Sequence, residues 1–367
     1  MKNPKQSYQE HLLPYCLVLL VRAIRNVLSW LHRRMFPASV VLYELFQHFY
    51  LLPPLYVAAE LDLATLMAKG PKKLDDLARQ TGTNADALYR VLRALASYGI
   101  FKETSGKVFR LTPLTKPLLT GKGSIRHMIL QHLGSENWLA LGNLMHTVKT
   151  GVNAFEHVHG LPIYQYLDEH PDHYAVFERS MADLSDLGIS PVLQRYSFHS
   201  FQTIADIGGG EGSLLCGILK RNPSARGIIF DVSSALSKTN DKIISSGLTE
   251  RMKVIPGDFF QSVPVIADAY LLKNILHNWD DTSCLIILRN LRMVMGSHAK
   301  LIIIEMILPP DNAFSTAKLI DIQMLATMPG GRERTLEEYR SLLHTAGLRL
   351  LRTVDTIAPI SIMEAGH

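Results

Sequence analysis

The stretch "TIADIGGGEGSLL" (203–215) has the composition of a backbone that a ligand approaches closely. An apolar run ends in Asp206, and glycines follow at 208, 209, 210 and 212. A glycine turn between a strand and a helix lets a ligand reach the main chain, and the helix N-terminus behind it favours negative charge. The pattern is D-x-G-x-G-x-G over Asp206, Gly208, Gly210 and Gly212. It is not the dinucleotide fingerprint G-x-G-x-x-G, whose third glycine would fall on Ser213. Two more acids close the next two apolar runs. Asp231 ends "GIIFD", where it can accept from both hydroxyls of a ribose. Asp258 follows "VIPG", where it can accept from an adenine amino group while Phe259 covers the base. Aspartate is also a common turn and cap residue, so each acid alone has a structural alternative. Three at successive run ends point to one nucleoside-binding edge.

A second set of residues has the chemistry of proton removal. His277 stands in "LLKNILHNWDD" (271–281) after a fourth apolar run, and an imidazole there can take a proton near neutral pH. A lone histidine after an apolar run is by default a packed core residue. Two carboxylates change the weighting. Glu305 closes "KLIIIE" and is costly to bury without a partner. Glu333 follows the glycine pair of "MPGGRERT", which can shape a loop over a pocket. A histidine with two carboxylates gives a base and groups that orient its ring.

These residues need a scaffold that brings strand ends together. Short apolar runs at 203–207, 227–231, 252–255, 268–272 and 300–308 alternate with helical stretches at 212–220, 236–246, 282–295 and 335–346. That alternation predicts a doubly wound α/β domain, a parallel sheet with helices on both faces and its ligand at the carboxyl ends of the strands. Upstream, residues 41–69 read as helical. "KKLDDLARQTGTNADALYRVLRALASYGIF" (72–101) reads as helix, turn at Gly82 and helix capped by Asn84, and 101–113 as a hairpin around Ser105-Gly106. Two helices and a hairpin make a winged helix. DNA binding through Arg90 and Arg93 is disfavoured by Asp86 on the same helix, and those arginines read as a solvated face. Residues 125–195 are helical with Gly and Pro punctuation. The expected domains are a basic amphipathic helix in 1–38, a winged helix in 39–122, a helical connector in 123–195 and a nucleoside-binding domain in 196–367.

Composition sets the outer limits. With 47% hydrophobic and 19% charged residues the 367-residue chain can bury a core, which excludes global disorder. Three dispersed cysteines form no CxxC pair and no Cys/His cluster has zinc spacing, so neither a disulfide framework nor a bound metal is expected. Residues 1–36 hold six Lys or Arg against one Glu, and the rest of the chain holds 32 of each sign, so the net charge of +5 belongs to the N-terminal segment. From 15 to 36 the polar positions Arg22, Arg25, Asn26, Ser29, His32 and Arg33 fall on one helical stripe. Two arginines interrupt the apolar stretch and no small-residue cleavage site follows it, which argues against a transmembrane span or a secretory signal. The setting is read as cytoplasmic. The helix has two readings: packing in a dimer interface, or lying on an anionic membrane surface as a peripheral contact.

In order along the chain, "DIGGGEG", "FD", "GDFF", "LLKNILHNWDD", "IIIEMILP" and "MPGGRERT" resemble the plant-type small-molecule O-methyltransferases, which include caffeate and acetylserotonin O-methyltransferases. The resemblance covers about residues 40–365. It implies a Rossmann-like methyltransferase sheet preceded by a winged-helix dimerisation domain, hence a homodimer, and S-adenosylmethionine as cosubstrate. It implies that Gly208, Asp231, Asp258, Phe259 and Lys273 contact that cosubstrate, and that His277 is the general base with Glu305 and Glu333 flanking it. It places Phe177, Met181, Met324 and Met328 in the pocket of a small hydroxyl acceptor, although such a Met/Phe set is otherwise ordinary core. Two departures are specific to this chain. Asn278 stands where plant members have Asp, and Met328 stands where lignin-pathway members often have Asn; with the amphipathic N-terminus, these suggest an aromatic or otherwise hydrophobic acceptor. Two rivals remain: a winged-helix regulator that senses S-adenosylmethionine, and a same-fold enzyme of different chemistry. The His277, Glu305 and Glu333 set argues against both.

Overall fold

Apolar periodicity switches along the chain from helical to strand-like, and the architecture follows that switch. The structure, a computed structural model, describes residues 15–121 and 123–367; the charged positions Lys2, Lys5 and Glu10 of the N-terminal segment, and the expected boundary at 122, lie outside the described residues. The chain divides into two compact units at Tyr50/Leu51. The first contains α1 (Tyr15–Met35) and α2 (Ala38–Gln47), joined across Pro37. The helix expected over 15–36 forms, and His32 Nε2 lies 2.8 Å from Glu44 Oε2 on α2. Leu19, Leu20, Ile24, Leu28 and Trp30 are all exposed on α1. No described helix is long and apolar enough to cross a membrane.

The second unit begins with α3 (Leu52–Glu60) and α4 (Leu63–Leu66), followed by β1 (Lys72–Lys73), α5 (Leu74–Thr81), α6 (Ala85–Ser97), β2 (Phe101–Thr104) and β3 (Val108–Leu111). This is the winged helix, with a three-stranded antiparallel sheet in the order β1-β3-β2. Asn84 caps α6 through the amide of Ala87 at 3.0 Å. Leu74, Leu77 and Ala78 of α5 and Leu88, Leu92 and Leu95 of α6 are buried, with Val91 half-buried beside them.

Helices α7 (Arg126–Leu133), α8 (Ser135–Gly142), α9 (Leu144–Thr150), α10 (Ala154–His159), α11 (Ile163–Glu169) and α12 (Pro171–Arg195) follow. The first of them packs into the winged helix. Ile129 and Leu130 of α7 sit in the winged-helix core, and Arg126 Nε donates to Ala59 O at 2.7 Å.

The remainder is the doubly wound domain: β4 (Thr203–Ile207), α13 (Ser213–Arg221), β5 (Arg226–Asp231), α14 (Thr239–Ser246), β6 (Met252–Pro256), β7 (Ala269–Lys273), α15 (Asp281–Val294), β8 (Lys300–Leu308), α16 (Thr316–Thr327), β9 (Arg334–Thr335), α17 (Leu336–Thr345), β10 (Arg349–Asp355) and β11 (Ile360–Gly366). Sheet order is β10-β11-β8-β7-β4-β5-β6, with β9 pairing β8 off this path. Strands β4 to β8 are parallel, and β11 and β10 add an antiparallel edge. The chain leaves β4 towards β5 on one side and later returns to lay β7 on the other. That reversal opens a crevice at the carboxyl ends of β4 and β7.

Candidate active site

The glycine turn lies at this switch point. Gly208, Gly210 and Gly212 all have positive φ. At Gly208 (φ +71) a Cβ would lie 2.4 Å from Ile275 Cδ1, so the turn is tight against the segment that follows β7. The space beside Gly210 is open to 4 Å. Asp231 closes β5 across the crevice, where its carboxylate accepts from Gly210 N at 2.9 Å and Val232 N at 2.7 Å. Two acceptor positions on it remain for a ligand. Asp206 is 3% exposed, and its carboxylate makes no hydrogen bond among the described residues. Burial pushes its pKa up to about 7, opposed by Lys273 and reinforced by Asp231. Lys273, the last residue of β7, donates to Ser185 Oγ at 3.0 Å. Burial lowers its pKa to about 8 against the attraction of Asp206 and Asp186. Asp258 accepts from Phe260 N at 2.8 Å, so it caps its own turn. Phe259 packs edge-on against Phe260 and Trp279. Three carboxylates with acceptor capacity to spare, beside an open glycine turn and an aromatic face, fit a nucleoside ligand rich in donors.

His277 follows β7 on the same side. Its Nδ1 lies 2.8 Å from Glu333 Oε1, with the Glu333 side chain fully buried. A carboxylate there accepts the ring N–H, which fixes the proton on Nδ1 and leaves Nε2 as the basic atom. Burial disfavours the imidazolium, but the Glu333 hydrogen bond and the charges of Glu305 and Glu333 outweigh burial and Lys273, and the pKa sits above the ordinary 6.5. Burial also raises the Glu333 carboxyl, with His277 opposing the rise. Glu333 is held in turn through its amide by Asp321 Oδ1 at 2.9 Å. The glycine pair before it is needed for close approach: a Cβ on Gly331 would meet His277 O at 3.1 Å and Met328 Cβ at 2.5 Å.

Glu305 departs from the expected role of flanking the imidazole. The parallel register of β7 with β8 pairs Lys273 with Ile304, which sets Glu305 beside the turn leaving β7. There its Oε1 accepts from the amides of Ile275 (3.0 Å), Leu276 (2.6 Å) and His277 (3.4 Å), and its Oε2 from the Tyr339 hydroxyl. It is fully buried and fixes the backbone that carries His277, acting on the ring only through its charge. Asn278, the departure noted in the sequence, ties back to Asn274 O at 3.1 Å.

Two residues of this site carried no sequence signal. Arg334 is 1% exposed and donates to the carbonyls of Leu276 (2.9 Å) and Trp279 (2.8 Å) and to Asp281. With Glu305 it clamps the 275–281 segment from both sides. Tyr164 stacks on Trp279 at 6.1 Å and meets Phe177 edge-on at 6.3 Å. Of the expected acceptor-pocket residues, Phe177, Met324 and Met328 share one apolar cluster with Phe155 and Ile163. Met181 lies one turn beyond Phe177 on α12, half-buried and outside that cluster. A cleft of about 440 Å³ opens beside the 328–332 loop, bordered by Met328, Asn153, Glu156, Asp321 and Arg332; it includes neither His277 nor the 208–212 glycine turn. Among the described residues no cluster has a metal-binding arrangement.

Residues 140–349 match the family model described as an O-methyltransferase domain, and residues 43–121 that of an O-methyltransferase dimerisation domain. The chain is 38% identical over 330 residues, 90% of its own length and 96% of the relative's, to a phenazine O-methyltransferase of Lysobacter antibioticus. It is 34% identical over 326 residues (84% and 90%) to the bergaptol O-methyltransferase of Ammi majus. Among solved structures, the mitomycin 7-O-methyltransferase MmcR aligns with a TM-score of 0.84 at 30% identity, covering 90% of this chain and 98% of that one.

Proposed function

We propose, from the premise that this chain belongs to the S-adenosylmethionine-dependent small-molecule O-methyltransferase family, that it methylates an aromatic or hydrophobic hydroxyl with His277 as general base. Bound S-adenosylmethionine supplies an electrophilic methyl group. Asp231 and Asp206 would take donors of its ribose and amino-acid portions, and Asp258 with Phe259 its base. For the acceptor, the chain's own residues have two tasks, alignment and proton removal. Phe177, Met324 and Met328 form an apolar wall, with Tyr164 and Trp279 stacked beside Phe177. His277 Nε2 removes the hydroxyl proton, and Glu333 keeps the ring in the tautomer that exposes Nε2 and stabilises the imidazolium that forms. Glu305 and Arg334 hold the 275–281 segment so that the ring cannot drift.

The observation that carries this reading is the 2.8 Å contact of His277 Nδ1 with a buried carboxylate whose only side-chain partner among the described residues is the ring. Names of relatives, among them the phenazine and bergaptol enzymes, support a ring-bearing acceptor. The test is methyl transfer from labelled S-adenosylmethionine to a panel of phenols and naphthols, with the site of methylation read by mass spectrometry and NMR. Ether products support the reading; methylation at nitrogen or carbon alone contradicts it.

The dimerisation-domain match supports a homodimer. The exposed apolar side chains of α1 favour packing against a second copy, with an anionic lipid surface as the alternative. Sedimentation of the full chain and of a form lacking residues 1–36, each with and without anionic liposomes, separates the two.

A further inference from the structure

The acceptor pocket is not apolar throughout. At its α7–α8 end three polar side chains are buried together: Gln131 (5% exposed), Glu136 (8%) and Asn137 (5%). With Phe155, Phe177 and His173 they border a void of about 10 Å³. Phe155 and Phe177 belong to the same cluster as Met324 and Met328, so this void adjoins the acceptor wall. The amide orientations are fixed by their partners. Asn137 Nδ2 donates to Gln131 O at 2.7 Å, and a carbonyl can only accept, so Asn137 Oδ1 is the atom left over. It is buried and, among the described residues, has no hydrogen-bond partner. Gln131 Oε1 accepts from Ser180 Oγ at 3.4 Å, which leaves its Nε2 to donate. Glu136 Oε2 lies 3.2 Å from His173 Nδ1. A buried acceptor with no donor is costly and marks a place for a ligand group that brings one.

We propose that Gln131, Glu136 and Asn137, closed by His173, form a polar subsite that receives a hydroxyl or amino substituent on the ring of the acceptor. The inference rests on the reading of the Phe177 side as the acceptor pocket. A void of this size takes one group as large as a water molecule, and so excludes methoxy and larger substituents. A hydroxyl meets Gln131 Nε2 and Asn137 Oδ1 together; an amino group donates to Asn137 Oδ1 and Glu136. This adds one polar position to the aromatic or hydrophobic acceptor expected from the sequence.

The experiment uses the full chain with labelled S-adenosylmethionine and three matched series of phenols and 1-naphthols carrying hydroxyl, amino or methyl at each ring position in turn. The methyl compounds are near-isosteric and cannot donate. The expected result is a kcat/KM about 10- to 100-fold higher for a hydroxyl or amino compound than for its methyl partner. That ratio falls to near one in Asn137→Leu and also in His173→Phe, a half-exposed position that tolerates exchange, while S-adenosylmethionine affinity is kept. The amino and hydroxyl series identify which donor the subsite takes. No preference at any ring position, or a preference that survives both variants, overturns the subsite, with the methyltransferase reading intact. Methylation of no compound in any series, with S-adenosylmethionine still bound, overturns the aromatic-hydroxyl reading and the subsite with it.

Discussion

Replacing Glu333 by Gln tests the link between base and carboxylate at its most exposed point. The variant keeps a carbonyl oxygen that can accept from His277 Nδ1 at 2.8 Å but removes the charge. Glu333 is 1% exposed, so solvent does not screen the loss. A hydrogen bond to a charged partner contributes about 1.5–3 kcal/mol, roughly twice a neutral one. Gln keeps the neutral part of that bond, so the loss is about half of it, roughly 0.75–1.5 kcal/mol; because the imidazolium forms as the acceptor gives up its proton, the loss falls on the transition state and lowers kcat by roughly 4- to 13-fold. The pH profile adds a sign. His277 acts when neutral, and its pKa is raised above 6.5 by Glu333 and Glu305. Wild-type kcat/KM therefore rises with pH through a midpoint above 6.5. In Glu333→Gln the burial that lowers this pKa remains while the main force raising it is gone, so the midpoint moves to lower pH. The assay is labelled methyl transfer from pH 5.5 to 9 at saturating S-adenosylmethionine, with calorimetry to show that cofactor affinity is kept. An unchanged rate together with an unmoved midpoint would refute the pairing as a catalytic element.

The other predictions concern the residues around that pair. Glu305→Ala strips the acceptor from three backbone amides and the Tyr339 hydroxyl; it destabilises the domain by about 3 kcal/mol or more, read as a lowered denaturant midpoint, whereas Glu333→Gln leaves that midpoint near wild type. Asp206 titrates near pH 7 in the free protein and must be ionised to accept from a cationic amine, so S-adenosylmethionine affinity rises as pH increases through about 7; Asp206→Asn flattens that dependence in calorimetric titrations. Gly208→Ala combines a left-handed backbone with a Cβ only 2.4 Å from Ile275 Cδ1. It weakens cofactor binding by about tenfold or more, and an affinity equal to wild type would show that the turn has room to relax.

The parts of the fold that follow from one periodic pattern were legible in the sequence. The five parallel strands fall at the apolar runs, and the winged helix falls at its Gly82 and Asn84 punctuation. The β10–β11 edge and α16 were not read. β10 carries Arg349, Arg352 and Asp355 as an exposed edge, and α16 is apolar on several sides, so neither shows a clean period. In the site, the acids and the histidine stood out because they interrupt apolar runs. Their partners did not. Glu305 meets the 275–277 backbone only through the β7–β8 register, a tertiary fact that no local spacing encodes. The same holds for Arg334, which reads as one charge in "RERT", and for Glu136 and His173, which come together across α8 and α12, both packed on α7. Sequence reading found the residues with unusual chemistry and missed those whose chemistry is made unusual by burial.

The most direct test of the account compares wild type with His277→Ala in single-turnover transfer of labelled methyl to an accepted aromatic hydroxyl, with S-adenosylmethionine affinity measured on the same preparations. The account predicts a loss of about 10²- to 10⁴-fold in transfer with cofactor affinity unchanged. Transfer at the wild-type rate in the His277→Ala protein would contradict it, because the one basic atom that the Glu333 contact exposes would then have no part in removing the proton.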